Sequence, residues 1–212
     1  MSTFVLIHGA GDVGWYWHLV QAELRARGHD SIAPDLPCDD DAAGLAEYAD
    51  SVISAIGDRT DLVIVGQSLG GFTAPLVCEQ VSARLMILVA PLIPAPGEAV
   101  TAYWAATGWD REPREPHDDV FYQDVPPELA AEARARGRAQ SETRLGEPTP
   151  MRAWPAVPTK VLICRDDRLL PVAYQRRVAR ERLGIVPDEI DGGHTPALSR
   201  PGDLADRLVG YR

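Results

Sequence analysis

Residues 62–72 read "LVIVGQSLGGF" and join a run of apolar residues to a serine framed by glycines. The apolar run predicts a strand buried on both faces, and the segment that follows Gly70 predicts a helix. A strand, a sharp turn and a helix around Gly-Gln-Ser-Leu-Gly are typical of a nucleophile elbow, in which the central serine projects its hydroxyl from the turn. Ser68 is therefore a candidate catalytic nucleophile.

Two other glycine-rich turns that connect a strand to a helix do not fit these residues. A phosphate-binding P-loop has lysine and then serine or threonine after its last glycine, whereas Phe72 follows Gly71 here. A dinucleotide-binding turn needs a Gly-x-Gly-x-x-Gly spacing, which the glycines of this stretch do not have. Gly66 and Gly70 stand where side chains would collide with a sharply turned serine, so the pattern favours catalysis.

Short apolar runs alternate with helical patterns along the rest of the chain and give about six strands. The runs are "TFVLIHG", "DSIAPDLP", "DLVIVG", "ARLMILVAP", "TKVLICRDD" and "IVPDEID". Unbroken apolar strands separated by helices predict an α/β fold, a mostly parallel sheet with helices on both faces. Right-handed crossovers make such a sheet doubly wound and place its site beyond the carboxyl ends of the strands. We expect residues 1–212 to form a single domain.

Residues 95–157 interrupt this alternation, because they contain no strand-like run. The segment is too long for an ordinary loop and too apolar for a linker. We interpret it as a short helical cap over the edge of the sheet; the alternative is an irregular surface excursion whose aromatic residues pack locally. A helix is predicted to start near Pro126, with Asp124 as a possible cap. Four aromatic residues of the cap are predicted to line a substrate pocket, namely Tyr103, Trp104, Phe121 and Tyr122.

A serine needs a neighbouring base and an orienting acid to become a good nucleophile at neutral pH. In sheets of this type the acid follows the serine along the chain, and the histidine follows the acid. The stretch "ICRDDRLLP" places Asp166 and Asp167 just beyond a predicted strand, and "DGGHTPALS" places His194 beyond the last one. Ser68, one of the two aspartates and His194 are therefore expected at the same edge of the sheet. The other histidines outside the first loop are interpreted as structural or exposed, namely His18, His29 and His117.

The loop "HGAGDVGWYW" after the first predicted strand is expected to complete the site. Acyl transfer needs two backbone N–H groups that bind the negatively charged oxygen of the intermediate. One is predicted at Leu69, directly after the nucleophile, and the other at Ala10 in this loop. His8 is predicted to hold the loop in shape rather than to react.

These residues resemble the α/β-hydrolase superfamily, and within it the branch of plant-type methylesterases and hydroxynitrile lyases with its bacterial relatives. The similar pieces are spread over the whole chain: "FVLIHGAGDVGWYW", "VGQSLGGF", "FYQDVPPELAAEA", "CRDDRLLP" and "GGHTPALSRPGDLAD". By position, the resemblance implies Ser68 as the nucleophile, His194 as the base and Asp167 as the acid, and it assigns the same two oxyanion amides. Asp167 is favoured over Asp166 because the acid of the family stands just before the x-x-x-Pro that closes this loop.

Departures from the family pattern narrow the expected activity. A hydroxynitrile lyase of this branch would have threonine after His8 and lysine after His194, but Gly9 and Thr195 stand there. Epoxide hydrolases and dehalogenases of the superfamily use an aspartate nucleophile, so Ser68 argues against them. The cap is shorter than in the plant enzymes, and their substrates are therefore not carried over.

The composition restricts the partners and the compartment. With 21 basic and 31 acidic residues the formal net charge is −10, which argues against nucleic acid and anionic membranes as partners. Three widely spaced cysteines form no metal-binding or redox motif, and the N-terminal stretch lacks the features of a signal peptide. We therefore expect a cytoplasmic location with reduced thiols, and no metal or other cofactor.

The expected function is that of a serine hydrolase of the carboxylesterase type, which cleaves a small ester through an acyl-enzyme. The aromatic cap favours an apolar or aromatic ester as the substrate. A thioesterase or an acyltransferase would use the same triad, and a hydrolase-fold receptor that captures a small ligand under the cap is a further alternative.

Overall fold

The structure is a computed structural model that describes residues 1–109 and 119–211. Within these ranges the strands are β1 (Thr3–Ile7), β2 (Asp30–Ile32), β3 (Leu62–Gln67), β4 (Ala83–Val89), β5 (Thr159–Cys164) and β6 (Asp188–Ile190). They form one sheet in the order β2-β1-β3-β4-β5-β6, and each pair of neighbouring strands is parallel. The predicted six-stranded, doubly wound α/β sheet is confirmed, and all of its strand pairs are parallel rather than most of them.

Helices cover both faces of this sheet. A short 3-10 helix (Gly14–Trp17) precedes α1 (His18–Ala26), and the chain continues with α2 (Leu45–Ile56), α3 (Gly70–Cys78), α4 (Val100–Ala106), α5 (Pro127–Arg136), α6 (Val172–Leu183), α7 (Pro196–Ser199) and α8 (Pro201–Gly210). Val5 and Ile7 of β1 belong to the hydrophobic cluster that includes α2 and α3. Phe4 and Leu6 belong to the cluster on the opposite face, which includes α1 and α8. Burial on both faces explains why the strand sequences are continuous apolar runs.

The order of the strands reverses direction between β1 and β3. Strand β2 is the neighbour of β1 on one side within the sheet, and the chain then returns to form β3 as the neighbour of β1 on the other side. Open α/β sheets bind their ligands at such a switch point, beyond the carboxyl ends of the strands. Because Ile7 pairs with Gly66 in the register of β1 and β3, the loop that begins at His8 lies beside the turn that contains Ser68.

In the described part of residues 95–157 the chain forms the helices α4 and α5. The helix that was predicted near Pro126 is α5, which starts at Pro127. The prediction of Asp124 as its cap is wrong, because Pro126 occupies the N-cap position and no side-chain hydrogen bond caps the helix. Asp124 Oδ2 instead accepts a hydrogen bond of 2.8 Å from the N–H of Gly193. His117 lies outside the described residues.

Gly66→Ala is expected to lower the free energy of unfolding by about 1–3 kcal/mol, because the added methyl group overpacks a site without room for it. A Cβ at Gly66 would lie 2.5 Å from the carbonyl oxygen of Gly70, a backbone atom at the start of α3. Gly202→Ala in α8 is the control, since a Cβ there meets no atom within 4 Å. Urea unfolding followed by circular dichroism measures both variants, and a wild-type midpoint for Gly66→Ala would contradict the prediction.

Candidate active site

The turn between β3 and α3 holds Ser68 in an uncommon backbone conformation. The φ angle of Ser68 is +52°, in the left-handed region that residues other than glycine rarely adopt. Three backbone hydrogen bonds fix it there: its N–H donates to Val89 at 3.1 Å, and its carbonyl accepts from Gly71 at 2.9 Å and from Leu92 at 3.0 Å. Strained residues persist where the surrounding structure determines them in this way, and such residues cluster at functional sites.

The side chains of Ser68, His194 and Asp167 form a continuous hydrogen-bonded chain. Ser68 Oγ lies 3.0 Å from His194 Nε2, and His194 Nδ1 lies 2.8 Å from Asp167 Oδ2. His194 is 1% exposed and Asp167 is 4% exposed, so both groups are shielded from water. With Nδ1–H donating to the carboxylate, Nε2 is free to accept the proton of the serine hydroxyl.

The structure places Asp167, and not Asp166, beside the histidine. Asp167 Oδ1 accepts two further hydrogen bonds, from the N–H groups of Leu169 and Leu170 at 2.8 Å each, which orient its carboxylate. Asp166 is exposed, and its Oδ2 accepts from the N–H of Gly192 at 3.1 Å. The position beyond the strand left both aspartates open, the family resemblance favoured Asp167, and the structure buries Asp167 beside the histidine.

Two side chains that the sequence prediction did not assign to the site hold the loop that carries His194. Gln67 Nε2 donates a hydrogen bond of 3.0 Å to the carbonyl oxygen of His194, from the residue just before the serine. From the opposite side, Asp124 accepts the hydrogen bond of Gly193 described above. Gln67 could have been suspected from its position inside the elbow motif, whereas no pattern in the sequence links Asp124 to this loop.

The amides predicted to bind the oxyanion are both available. Within the described part of the chain, neither the N–H of Ala10 nor the N–H of Leu69 donates a hydrogen bond to the protein. Ala10 lines the cleft beside Ser68, and Leu69 directly precedes the N-terminus of α3, where the helix dipole favours negative charge. Unpaired amides next to a nucleophile are suited to bind a developing oxyanion.

His8 shapes the first loop from a buried position. Its Nδ1–H donates to the carbonyl oxygen of Gly9 at 2.8 Å, and its Nε2 accepts from the N–H of Leu36 at 3.1 Å. These two bonds require the neutral ring, and burial lowers the pKa of His8 below its ordinary value. The arrangement agrees with the predicted structural role of this histidine.

A cleft opens directly at Ser68 and His194. Its volume is about 190 Å³, which is smaller than the ~300–1,000 Å³ of most small-molecule sites. It is lined by Gly9, Ala10, Gly11, Asp12, Gln67, Ser68, Phe121, Tyr122, His194 and Thr195. Phe121 and Tyr122 thus form a wall supplied by the predicted cap segment, and the ring of Phe121 lies edge-on to His194 with 5.7 Å between centroids.

Tyr103 and Trp104 do not line this cleft, which corrects the prediction for these two residues. Tyr103 is fully buried, its Oη accepts a hydrogen bond of 3.2 Å from the N–H of Ile93, and its ring packs against Phe72 of α3. Trp104 packs beside it in the same hydrophobic cluster. Helix α4 therefore uses its aromatic residues to cover α3, so they strengthen the core rather than form a pocket wall.

The residues that argue against a lyase also line the cleft. The space for a side chain at Gly9 is occupied, because a Cβ there would lie 2.6 Å from Gln67 Oε1 and 3.0 Å from Ser68 Cβ. The hydroxyl of Thr195 donates a hydrogen bond of 2.5 Å to the carbonyl oxygen of Phe121. Position 9 therefore lacks the threonine, and position 195 lacks the lysine, that the lyase pattern requires.

Asp12 is a further charged group in the cleft that the sequence prediction missed. Its Oδ1 accepts a hydrogen bond of 2.9 Å from the N–H of Val13. Burial raises the pKa of Asp12 to about 6, from an ordinary value of 3.8. Its place in the loop after β1, four residues beyond His8, was the only signal in the sequence.

The described residues contain no group of three or more histidine, cysteine or acidic side chains that could hold a metal ion. Cys38, Cys78 and Cys164 are all buried and form no disulfide. Among the helices of residues 1–109 and 119–211, none has the length and apolar character needed to cross a membrane.

The parallel sheet, the elbow and the order serine, aspartate, histidine together define an α/β-hydrolase fold with a hydrolase-type site. Residues 4–207 match the sequence pattern described as the Alpha/beta hydrolase family, and the chain belongs to that family.

The similar proteins include plant esterases. The probable esterase PIR7A of Oryza sativa subsp. indica is 34% identical over 109 residues, and the match covers 45% of this chain but only 41% of the rice protein. Methylesterase 3 of Arabidopsis thaliana is 22% identical over 249 residues, which cover 97% of this chain and 94% of that protein. The crystal structure of polyneuridine aldehyde esterase superimposes with a TM-score of 0.83 at 18% identity, and the match covers 100% of this chain and 99% of that one. The resemblance to the plant-type methylesterase branch is confirmed.

Asp12→Asn is expected to stabilise the protein at high pH and to have little effect at low pH. The pKa of Asp12 is higher in the folded state than in the unfolded state, so the folded state binds the carboxyl proton more tightly. The free energy of unfolding of the wild type therefore falls as the pH rises from about 4 to about 6. Asparagine avoids that loss and keeps an acceptor for Val13, which gives a gain of about 2–3 kcal/mol at pH 8 and less than about 1 kcal/mol at pH 4. Urea unfolding at both pH values tests this, and a gain independent of pH would contradict it.

Proposed function

We propose that this protein is a serine hydrolase of the carboxylesterase type. The observation that carries the proposal is the hydrogen-bonded chain from Ser68 Oγ through His194 to Asp167, which ends at an open cleft. The esterase names of its relatives support the same class of reaction. An ester that enters the cleft reaches the serine hydroxyl and the unpaired amides together.

In the first half of the proposed reaction, Ser68 Oγ attacks the ester carbonyl while His194 Nε2 takes the hydroxyl proton. Asp167 stabilises the imidazolium that forms and keeps its Nδ1–H in place. The N–H groups of Leu69 and Ala10 bind the oxyanion of the tetrahedral intermediate. His194 then donates the proton to the leaving alcohol, and an acyl-enzyme on Ser68 remains.

The second half of the reaction releases the acid. His194 accepts a proton from a water molecule, which attacks the acyl carbon, and the same two amides bind the second oxyanion. Collapse of this intermediate breaks the bond to Ser68 Oγ, which recovers its proton from His194. The hydroxyl group is then ready for another ester.

The shape of the cleft supports a small ester with an apolar or aromatic part. Phe121 and Tyr122 present ring surfaces to the ligand next to His194, and Phe121 remains 44% exposed. A small volume limits the acyl and alcohol parts to short or single-ring groups. Hydrolysis of a panel of p-nitrophenyl esters, methyl esters and acyl thioesters separates an esterase from a thioesterase with the same triad.

Ser68 is expected to react covalently with a fluorophosphonate probe, because His194 makes its hydroxyl a strong nucleophile. Mass spectrometry of the digested protein would locate the phosphonate on the peptide that contains residue 68. Ser68→Ala, shown to be folded by circular dichroism, is the control and would remain unlabelled. A folded wild type that fails to label would overturn the proposal.

Asp167→Asn is expected to lower kcat for p-nitrophenyl acetate by about 10⁴-fold, since the amide no longer stabilises the charged ring or its tautomer. Asp166→Asn is the matched control, because it removes the same charge one residue away and keeps an acceptor for Gly192. Its kcat is expected to change by less than about threefold. Equal losses in the two variants would contradict the assignment of the acid.

A further inference from the structure

The cleft contains one carboxylate that the proposed reaction does not use. Among the described residues that line it, Asp12 is the single acidic side chain, and none is arginine or lysine. Only its Oδ1 has a partner, the N–H of Val13, and Oδ2 accepts no hydrogen bond from the described residues. Asp12 is therefore a partly buried negative group with one oxygen free to meet a ligand.

Two arginines of the neighbouring segment are already paired with other acids. Arg138 lies 2.8 Å from Asp35 and 3.7 Å from Asp39, and Arg134 pairs with Asp119. In the described part of the chain, no arginine or lysine forms an ion pair with Asp12. The charge of Asp12 is thus not neutralised from within the protein.

Three titratable groups close to Asp12 are neutral at pH 7. They are the thiol of Cys38 and the hydroxyls of Tyr16 and Tyr122, and burial raises the pKa of each. The negative charge of Asp12 adds to the rise for all three, which places them close to its carboxylate. These groups can accommodate the carboxylate but supply no positive charge.

Aromatic rings form another part of the cleft wall. Phe121 and Tyr122 line the same cleft as Asp12, and the face of an aromatic ring attracts cations. Arg134 already lies over the Tyr122 ring at 4.8 Å from its centroid, which leaves Phe121 as the more available ring. A net charge of −10 also favours the approach of cations to this surface.

We propose that the cleft selects esters that carry a positively charged ammonium group, and that Asp12 is the residue that determines this specificity. The proposal rests on the proposed function, because it names the substrate class of the same site. A ligand cation beside Oδ2 would restore the electrostatic stabilisation that a partly buried carboxylate lacks. At neutral pH Asp12 is mostly ionised, since its pKa is about 6.

A pair of esters with the same shape and different charge tests this selection. The probes are 2-(trimethylammonio)ethyl acetate and 3,3-dimethylbutyl acetate, whose hydrolysis is followed as acetic acid release in a pH-stat at pH 8. The wild type is expected to show a kcat/KM about tenfold higher for the cationic ester. Asp12→Asn is expected to reduce this ratio to about one, because it removes the charge and keeps the shape.

Asp50→Asn is the matched control for long-range effects of charge. Asp50 is exposed on α2 and does not line the cleft, so its loss changes the net charge equally and is expected to leave the tenfold ratio in place. A wild-type ratio near one, or the same ratio in Asp12→Asn as in the wild type, would overturn the inference. A ratio that falls as much in Asp50→Asn would also overturn it, since general attraction of cations would then explain the selection.

Binding to Ser68→Ala separates this inference from the proposed function. Isothermal titration calorimetry with the two acetates measures selection without hydrolysis. Tighter binding of the cationic ester, lost in the double variant Ser68→Ala/Asp12→Asn, would support the inference even if the wild type hydrolysed neither ester and the proposed function failed. Equal binding of the two esters, with Ser68 of the wild type labelled by the fluorophosphonate, would overturn the inference and leave the proposed function intact.

Discussion

The left-handed backbone of Ser68 is the conformation on which the rest of the site depends. It directs the hydroxyl out of the turn between β3 and α3, toward the loops that follow the other strands. Such strain costs of order 1–3 kcal/mol, and hydrogen bonds to Val89 at the end of β4 and to Leu92 in the loop after it stabilise the turn. The neighbouring parallel strand and the loop after it therefore do more than fill the sheet, because they hold the backbone of the candidate nucleophile.

The reacting groups come from chain segments that only the folded sheet brings together. Ser68 and His194 are 126 residues apart, and Asp167 lies 27 residues before the histidine, yet each follows the carboxyl end of a strand. The loop that carries His194 is then held from two sides, by Gln67 of the elbow and by Asp124 of the inserted segment. A single rigid sheet thus gives three separate loops the precision that proton transfer requires.

The cleft combines two kinds of surface that act on different parts of a ligand. The unpaired amides of Ala10 and Leu69 are suited to negative charge that develops during the reaction. Asp12, two residues beyond Ala10 in the same loop, and the ring of Phe121 are instead suited to the positive charge of the ester that we propose. In the proposed reaction, separate groups for the two signs of charge let the same small cleft stabilise the transition state and choose its substrate.

Local patterns in the sequence determined the sheet, the elbow around Ser68 and the order of the candidate triad. They could do so because buried strands read as apolar runs and because a sharp turn requires glycine at fixed positions. Tertiary structure placed Asp167 rather than Asp166 beside His194, as the family resemblance had favoured, and it alone showed that Tyr103 belongs to the core and that Asp12 lines the cleft. These outcomes depend on burial and on partners distant in the chain, which local spacing does not encode.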